Sequence, residues 1–426
     1  MQTSSERILT THTGSLPRPA ALTDRRDEGE VRAAVEETVG RQHAAGIDIV
    51  NDGEVSKPSY ATYVTERMTG FDGEPAIRKW SGRELEDFPE YYERMRAQYG
   101  GVATPPCTGP VSYTDAGRAR LAVDIANIKA ATGFAASASG ASASGASASG
   151  AGAAASGADV FMSAASPGII AGYMPDNQYY ASTEEYIFAL AGAMKEEYDA
   201  IVAAGLILQL DCPDLPGSES SLDDATEAEV AEFRKGVAMR LAAVDHATRD
   251  IPPDRMRMHL CWGNGEGPHH TDVPLARFVD LVLAARPGAI SFEGANPRHE
   301  HEWVLWEDVK LPDGKVIIPG VLDSTTNFIE HPELVAQRLV RYADVVGKEN
   351  VIAGTDCGFA TIADLHTVDP RITWAKLAAM AEGARLASGP AVGTLKEGLD
   401  ACCRAQGPAG RPVAPGREAG REGPGR

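Results

Sequence analysis

Eight short apolar runs, many rich in β-branched residues, constrain the fold of this chain more than any other feature. They are 7–15 (RILTTHTGS), 46–54 (GIDIVNDGE), 159–168 (DVFMSAASPG), 206–214 (LILQLDCPD), 256–263 (MRMHLCWG), 289–295 (AISFEGA), 316–324 (VIIPGVLDS) and 351–359 (VIAGTDCGF). Segments with helical periodicity separate most of them, at 31–45, 183–204, 225–249, 273–286, 332–346 and 373–388. Strands that alternate with helices pair in parallel, because a helical crossover returns the chain to the same end of the sheet. Eight such units predict an α/β fold, a single-domain (β/α)8 barrel over residues 7–390. A further short run, 107–115 (CTGPVSYTD), reads as an extra strand or a long active-site loop.

Two stretches stand outside this pattern. Residues 136–158 carry three tandem ASASG copies, whose small side chains bury almost no apolar surface, so they read as a flexible surface insertion. Residues 404–426, rich in Gly, Pro and Arg, read as a disordered tail. Asp and Glu outnumber Lys and Arg by 60 to 40, a formal charge of −20 with no basic stripe. That balance argues against a nucleic-acid partner and against an anionic membrane surface. No apolar run approaches the length of a bilayer span, and the first residues lack the charged-then-apolar pattern of a signal peptide. The expected setting is the cytoplasm, where the six cysteines are thiols rather than a disulfide framework.

Polar residues gather at the C-terminal ends of the runs: Thr13, Ser15, Glu54, Asp211, His259, Cys261, Glu293, Asp323 and Cys357. In a barrel those ends converge on one mouth, where active sites are built. His259 and Cys261 are two apart on a strand and so face the same way. Imidazole with thiolate is a zinc pair; Cys357 and Glu293, ending two other runs, would complete a tetrahedral set. Zinc with one neutral imidazole, two thiolates and one carboxylate carries a net charge of about −1, which makes it a poor Lewis acid towards water. Such an ion suits a different task, keeping an incoming thiol as a nucleophilic thiolate, so alkylation of a thiol is expected rather than hydrolysis. Cys107 and Cys212 read as core or supporting residues, and Cys402 and Cys403 have no assigned role. His269, His270, His299 and His301 fall in predicted loops and read as surface residues or as supports behind the ligands.

At these residues the sequence resembles the C-terminal catalytic barrel of cobalamin-independent methionine synthase. The motifs are HLCWG, SFEGA and GTDCGF, joined by TTHTGSLPRP at the start, VNDGE at 50–54, LQLDCPDL at 208–215 and IPGVLDS at 318–324. Taken in order they cover roughly residues 7–390, the insertion excepted. The resemblance implies Zn2+ held by His259, Cys261, Glu293 and Cys357. It implies that Gly14 and Ser15 hold the amino-acid part of homocysteine, with Glu54 and Asp211 on its ammonium group. A buried ammonium needs carboxylate partners, which agrees with that assignment.

Two departures bear on the methyl donor. The full-length synthases carry a second, N-terminal barrel that helps hold a polyglutamyl folate, and this sequence shows one barrel. They also place a histidine that assists proton delivery where this chain has Thr325. Methyltetrahydrofolate leaves as an amine that must be protonated, so Asp323, through a water, is the candidate acid; its alternative role is a structural acceptor. The stretch GVLDSTTNFIEHPE also resembles epoxyalkane:coenzyme M transferases, in which a zinc-held thiolate opens an epoxide. Two carboxylates would repel the sulfonate of coenzyme M, so an amino-acid thiol fits better. The leading expectation is methyl transfer from 5-methyltetrahydrofolate to homocysteine. The alternatives are a zinc-dependent thiol alkyltransferase using another electrophile and a non-catalytic zinc- and thiol-binding protein.

Overall fold

The computed structural model describes residues 1–77, 82–134, 159–217, 222, 225–363, 365 and 367–389, so the 136–158 and 404–426 segments, with Cys402 and Cys403, lie outside the described residues. In chain order the strands are β1 (Leu9–Thr10), β2 (Ala76–Ile77), β3 (Ala103–Thr104), β4 (Phe161–Ala165), β5 (Ile207–Asp211), β6 (Met256–Leu260), β7 (Ala289–Phe292), β8 (Val316–Pro319) and β9 (Ile352–Ala353). β4 to β8 form one parallel sheet in sequential order, β9 pairs in parallel with β1, and β2 with β3 make a separate antiparallel pair.

The sheet closes on itself. Val351 bridges Ile317 in parallel, which joins β9 to β8. The Ile49 N–H donates to the Thr10 carbonyl at 3.0 Å, and Val50 bridges Val160 in parallel. Residues 49–50 are therefore the second stave, between β1 and β4, and the eight apolar runs become the eight staves of a (β/α)8 barrel. Helices follow the staves at Glu28–Ala44, Thr183–Ala203, Glu227–Ala247, Val279–Ala284, Pro332–Val346 and Pro370–Ser388, within a few residues of the periodic segments.

Register explains what lies inside the barrel. A small cluster apart from the main core, Ile49, Phe161, Ile207, Ala289, Val316, Ile318 and Ile352, fills the lumen towards the N-terminal ends of the staves. Further along, the inward positions turn polar: Ser163, Gln209 and Arg257 are in register across β4 to β6, and Ser291 of β7 lies one step higher, in register with His259. Arg257 is 1% exposed, lies 3.5 Å over the Phe161 ring and donates to Gln209, Thr11 and the His12 carbonyl. Each of these donors has a partner, as a buried guanidinium requires. The apolar floor and polar middle leave the top of the barrel for chemistry.

Several helices lie outside the predicted segments, the longest among the described residues being Asp115–Thr132. Asp115–Thr132 starts at a Thr114 cap, whose Oγ1 accepts from Gly117 N at 2.9 Å, and ends at left-handed Gly133. It follows the 49–50 stave as that unit's crossover. Its inward face carries Asp124 and Asn127, so apolar periodicity is weak there. Asp124 and Glu197 together hold Arg67, which is 5% exposed. The 107–115 run is a loop rather than a strand, anchored by bridges of Cys107 to Asn177 and Tyr113 to Met68. Before it, helices Arg83–Asp87 and Pro89–Tyr99 make an excursion that packs on the 263–270 loop through Asp87–His270 (2.9 Å) and a Tyr91–Glu266 carbonyl bond.

Candidate active site

The polar residues lie at or just beyond the C-terminal ends of their staves. His259 is the fourth residue of β6 and Cys261 lies just beyond that strand; Cys357 follows β9. Their ligand atoms all lie within 4.8 Å of one another, and the two sulfurs are 3.8 Å apart. Two Zn–S bonds of about 2.3 Å at a tetrahedral angle put their sulfurs about 3.8 Å apart, so the spacing is that of a shared ion. His259 Nε2 is buried with no hydrogen-bond partner, while Nδ1 faces Ser291 Oγ at 3.2 Å. A ligand histidine needs this arrangement, with one nitrogen oriented by a neighbour and the other free for the metal. Burial, then the charge of Arg257, push the His259 pKa down to about 3, so the imidazole is neutral. The contact with Cys357 and then burial push the Cys261 thiol up; a divalent cation between the sulfurs would reverse that.

Glu293 stands beside this group rather than within it. Its Oε1 accepts from Trp262 N–H at 2.8 Å and its Oε2 from Asn296 Nδ2 at 2.6 Å. Burial and then Asp356 raise its pKa to about 8. The structure therefore brings together three of the four expected ligands, with the fourth held by N–H donors in the adjoining turn.

Asp356 was not singled out from sequence. Its Oδ1 accepts from Gly294 N (2.8 Å) and Ala295 N (2.9 Å), and its Oδ2 from Asn296 N (2.8 Å). One carboxylate thus fastens the turn carrying Glu293 to the loop carrying Cys357. Asp356→Ala should weaken metal retention about 10- to 100-fold while the protein stays folded, as measured by competition with a chromophoric chelator.

The residues expected to meet an amino acid lie alongside this group, with Asp211 in register with His259. Gly14 has φ +150°, which strains any other residue, and a Cβ there would push Glu54 Oε1 from its place. Glu54 itself is in the left-handed region at φ +56°, a strain that non-glycine residues rarely carry outside functional sites. Ser163 Oγ donates to Glu54 Oε1 at 2.5 Å, and Gln209 Nε2 to Asp211 Oδ1 at 2.8 Å. Burial, and next the charge of Glu54, push the Asp211 carboxyl well above the usual range. The cations within reach point elsewhere: Lys57 donates to the Ser163 carbonyl at 2.7 Å, and Arg257 to Gln209, Thr11 and His12. Two buried carboxylates thus face each other without an ion-pair partner among the described residues. The Ser15 carbonyl accepts from Phe359 N at 2.9 Å and its Oγ from Ala360 N at 3.4 Å, which ties this turn to the Cys357 loop.

A cavity of about 460 Å³ opens beside Cys357, lined among others by Gly265, His269, Glu293, Asp323, Thr325 and Asp356. Asp323 Oδ1 accepts from both Thr325 N and Thr325 Oγ1, each at 2.8 Å. Held this way, Asp323 is an acceptor. The histidines of the neighbouring loops divide. His270 pairs with Asp87 and His301 is exposed, whereas His299 is buried and stacked on Trp262, with ring centroids 4.0 Å apart. Cys107 and Cys212 are buried free thiols outside the metal group.

No protein-family model matches the chain. A methionine synthase of Saccharolobus solfataricus is 24% identical over 400 residues, covering 89% of this chain and 94% of its own length. A methionine synthase of Thermococcus kodakarensis is 22% identical over 386 residues, covering 88% and 91%. Among solved structures, a B12-independent methionine synthase from a Shewanella species, in complex with selenomethionine, superposes with a TM-score of 0.65 at 21% identity, covering 92% of this chain and 99% of that one. A putative vitamin-B12-independent methionine synthase from Listeria monocytogenes gives 0.55 at 17% identity, covering 89% and 98%. Both likenesses bear on the fold.

Proposed function

We infer that this chain, a relative of the cobalamin-independent methionine synthases, transfers a methyl group to the thiol of homocysteine and so forms methionine. The observation that carries the reading is the buried His259–Cys261–Cys357 group, with its orphaned Nε2 and its 3.8 Å sulfur spacing. We propose zinc as the ion it holds, with Glu293 as the adjoining carboxylate. That ion would keep a bound thiol deprotonated and nucleophilic at neutral pH. A cytoplasmic setting suits this assignment, since it keeps the ligand thiols reduced.

The chain's own residues do the rest. Glu54 and Asp211 receive the substrate ammonium, whose positive charge offsets the burial and the Glu54 repulsion that lift the Asp211 pKa. The Gly14–Ser15 turn offers backbone donors to the carboxylate, with Gly14 free of the side chain that would block Glu54. This leaves the thiol aimed at Cys261 and Cys357, and the methyl donor enters through the 460 Å³ cavity beside them. We propose 5-methyltetrahydrofolate as that donor. Asp323, fixed by Thr325, lines its path and accepts hydrogen bonds from it.

The test is methionine formation by the purified protein from homocysteine and 5-methyltetrahydrofolate, offered as monoglutamate and as triglutamate, with zinc measured on the same sample. The expected result is one zinc per chain and turnover with at least one folate. Zinc without folate turnover would move the donor assignment to another electrophile, and a chain that binds no zinc would overturn the site.

A further inference from the structure

The donor cavity has a fixed cation in its wall. His269 Nδ1 lies 2.8 Å from Asp272 Oδ2, and its Nε2 lies 3.0 Å from the Gly265 carbonyl. Both partners are acceptors, so both nitrogens must carry a proton and the ring is an imidazolium. The Asp272 carboxylate is held ionised because it also faces His299 Nε2 at 3.0 Å, and His299 Nδ1 faces Glu302 Oε2 at 2.9 Å. Burial alone would lower the His269 pKa, but Asp272, the Gly265 carbonyl and the more distant Glu293 overcome it and raise the value to about 9. Among the described residues, His269 and Glu54 are the non-glycine positions with positive φ, His269 at +52°. A left-handed histidine is strained and persists where the surroundings impose it.

We propose that His269 is the catalytic residue that protonates the leaving atom of the methyl donor. This rests on the methyl-transfer reading above. Asp323 is an acceptor in its bonds to Thr325, and Thr325 has no proton to give at neutral pH. His269 lines the same cavity as Cys357, Glu293 and Asp323, and it holds a transferable proton on Nε2. That proton is bound only to a glycine carbonyl. Gly265 lines the same cavity and, having no Cβ, can take up the backbone change of a peptide flip that would turn the His269 N–H towards the cavity. The sulfur lone pair of the substrate thiolate forms the new S–CH3 bond, and the bond from methyl to the donor nitrogen breaks. The electron pair left on that nitrogen takes the Nε2 proton. His269 becomes a neutral imidazole still bound to Asp272 through Nδ1–H, and water re-protonates it after product leaves.

The test compares two donors on the zinc-loaded protein. 5-Methyltetrahydrofolate leaves as an amine that needs a proton, whereas methyl iodide leaves as iodide and needs none. His269→Gln is expected to lower kcat with the folate about a hundredfold, the lower range for a general acid, and to lower the rate with methyl iodide only a few-fold. Added imidazole should restore part of the folate activity of His269→Ala. A second readout needs no turnover: the side-chain 15N shifts of His269 at pH 8 should be those of an imidazolium. Equal losses with both donors, an undiminished folate rate, or a neutral His269 ring would each overturn the proposal. Wild-type turnover with methyl iodide alone would overturn it too, but would leave thiol activation standing. Failure with both donors would instead overturn the methyl-transfer reading itself.

Discussion

Cys261→Ser and Cys357→Ser should each lose bound zinc and fall below about one thousandth of wild-type turnover. The two sulfurs sit 3.8 Å apart and, with His259, make up the whole three-residue group. A serine hydroxyl does not ionise near neutral pH, so each substitution removes an anionic donor from a site with few to spare. What is left is one imidazole, one thiolate and a carboxylate already bonded to Trp262 and Asn296. The barrel should survive the change, because its apolar core is built around the staves and helices and does not depend on the ion. Circular dichroism and a melting curve on the same samples separate loss of metal from loss of fold. Cys107→Ser, at a buried thiol outside the group, should keep its zinc. If both ligand variants retained one zinc per chain, the ion would have to be held elsewhere.

The juxtaposition of His259, Cys261 and Cys357 could be read from sequence for a simple geometric reason. Parallel barrel strands are buried on both faces, so they stand out as apolar runs, and polar residues at their ends have nowhere to go but the mouth. His259 and Cys261 are two apart on one stave and needed only the strand period to be paired. Residues whose role depends on a distant partner were not legible. Asp356 precedes Cys357 and reads as part of the GTDCG turn; its bracing of that loop appears only when the backbone of 294–296 is placed against it. Lys57 and Ser163 matter because the second and third staves are neighbours, which periodicity cannot show. The helix Asp115–Thr132 escaped for a related reason. It turns Asp124 inwards to meet Arg67, so the pattern that reveals other helices is broken where a buried ion pair replaces apolar packing. Arg257 is the same effect in a strand: a charge inside the lumen satisfied by Gln209, Thr11 and His12.

The other large effect belongs to the paired carboxylates. Wild-type protein should prefer homocysteine over 4-mercaptobutyrate, the same thiol without its amino group, by about a thousandfold in kcat/KM, because the ammonium answers two buried acids. Glu54→Gln and Asp211→Asn should each lose most of that preference, chiefly through KM, while still methylating the amine-free thiol. The Asp211 carboxyl is raised by burial and then by Glu54, so the folded protein holds a proton there that the unfolded chain releases near the ordinary aspartate pKa. Between those two values the native state binds more protons, so stability falls as pH rises through that window, and the loss is fully present above the folded-state pKa. Asp211→Asn removes the buried charge while its amide oxygen still accepts from Gln209, so without substrate this variant should melt at a higher temperature than wild type at neutral pH. Its melting temperature should also fall less with rising pH. Greater stability together with lost discrimination would mark the pair as a site held ready for a cation. An unchanged preference for homocysteine, or a lower melting temperature in Asp211→Asn, would show that the two carboxylates serve the fold and not the substrate.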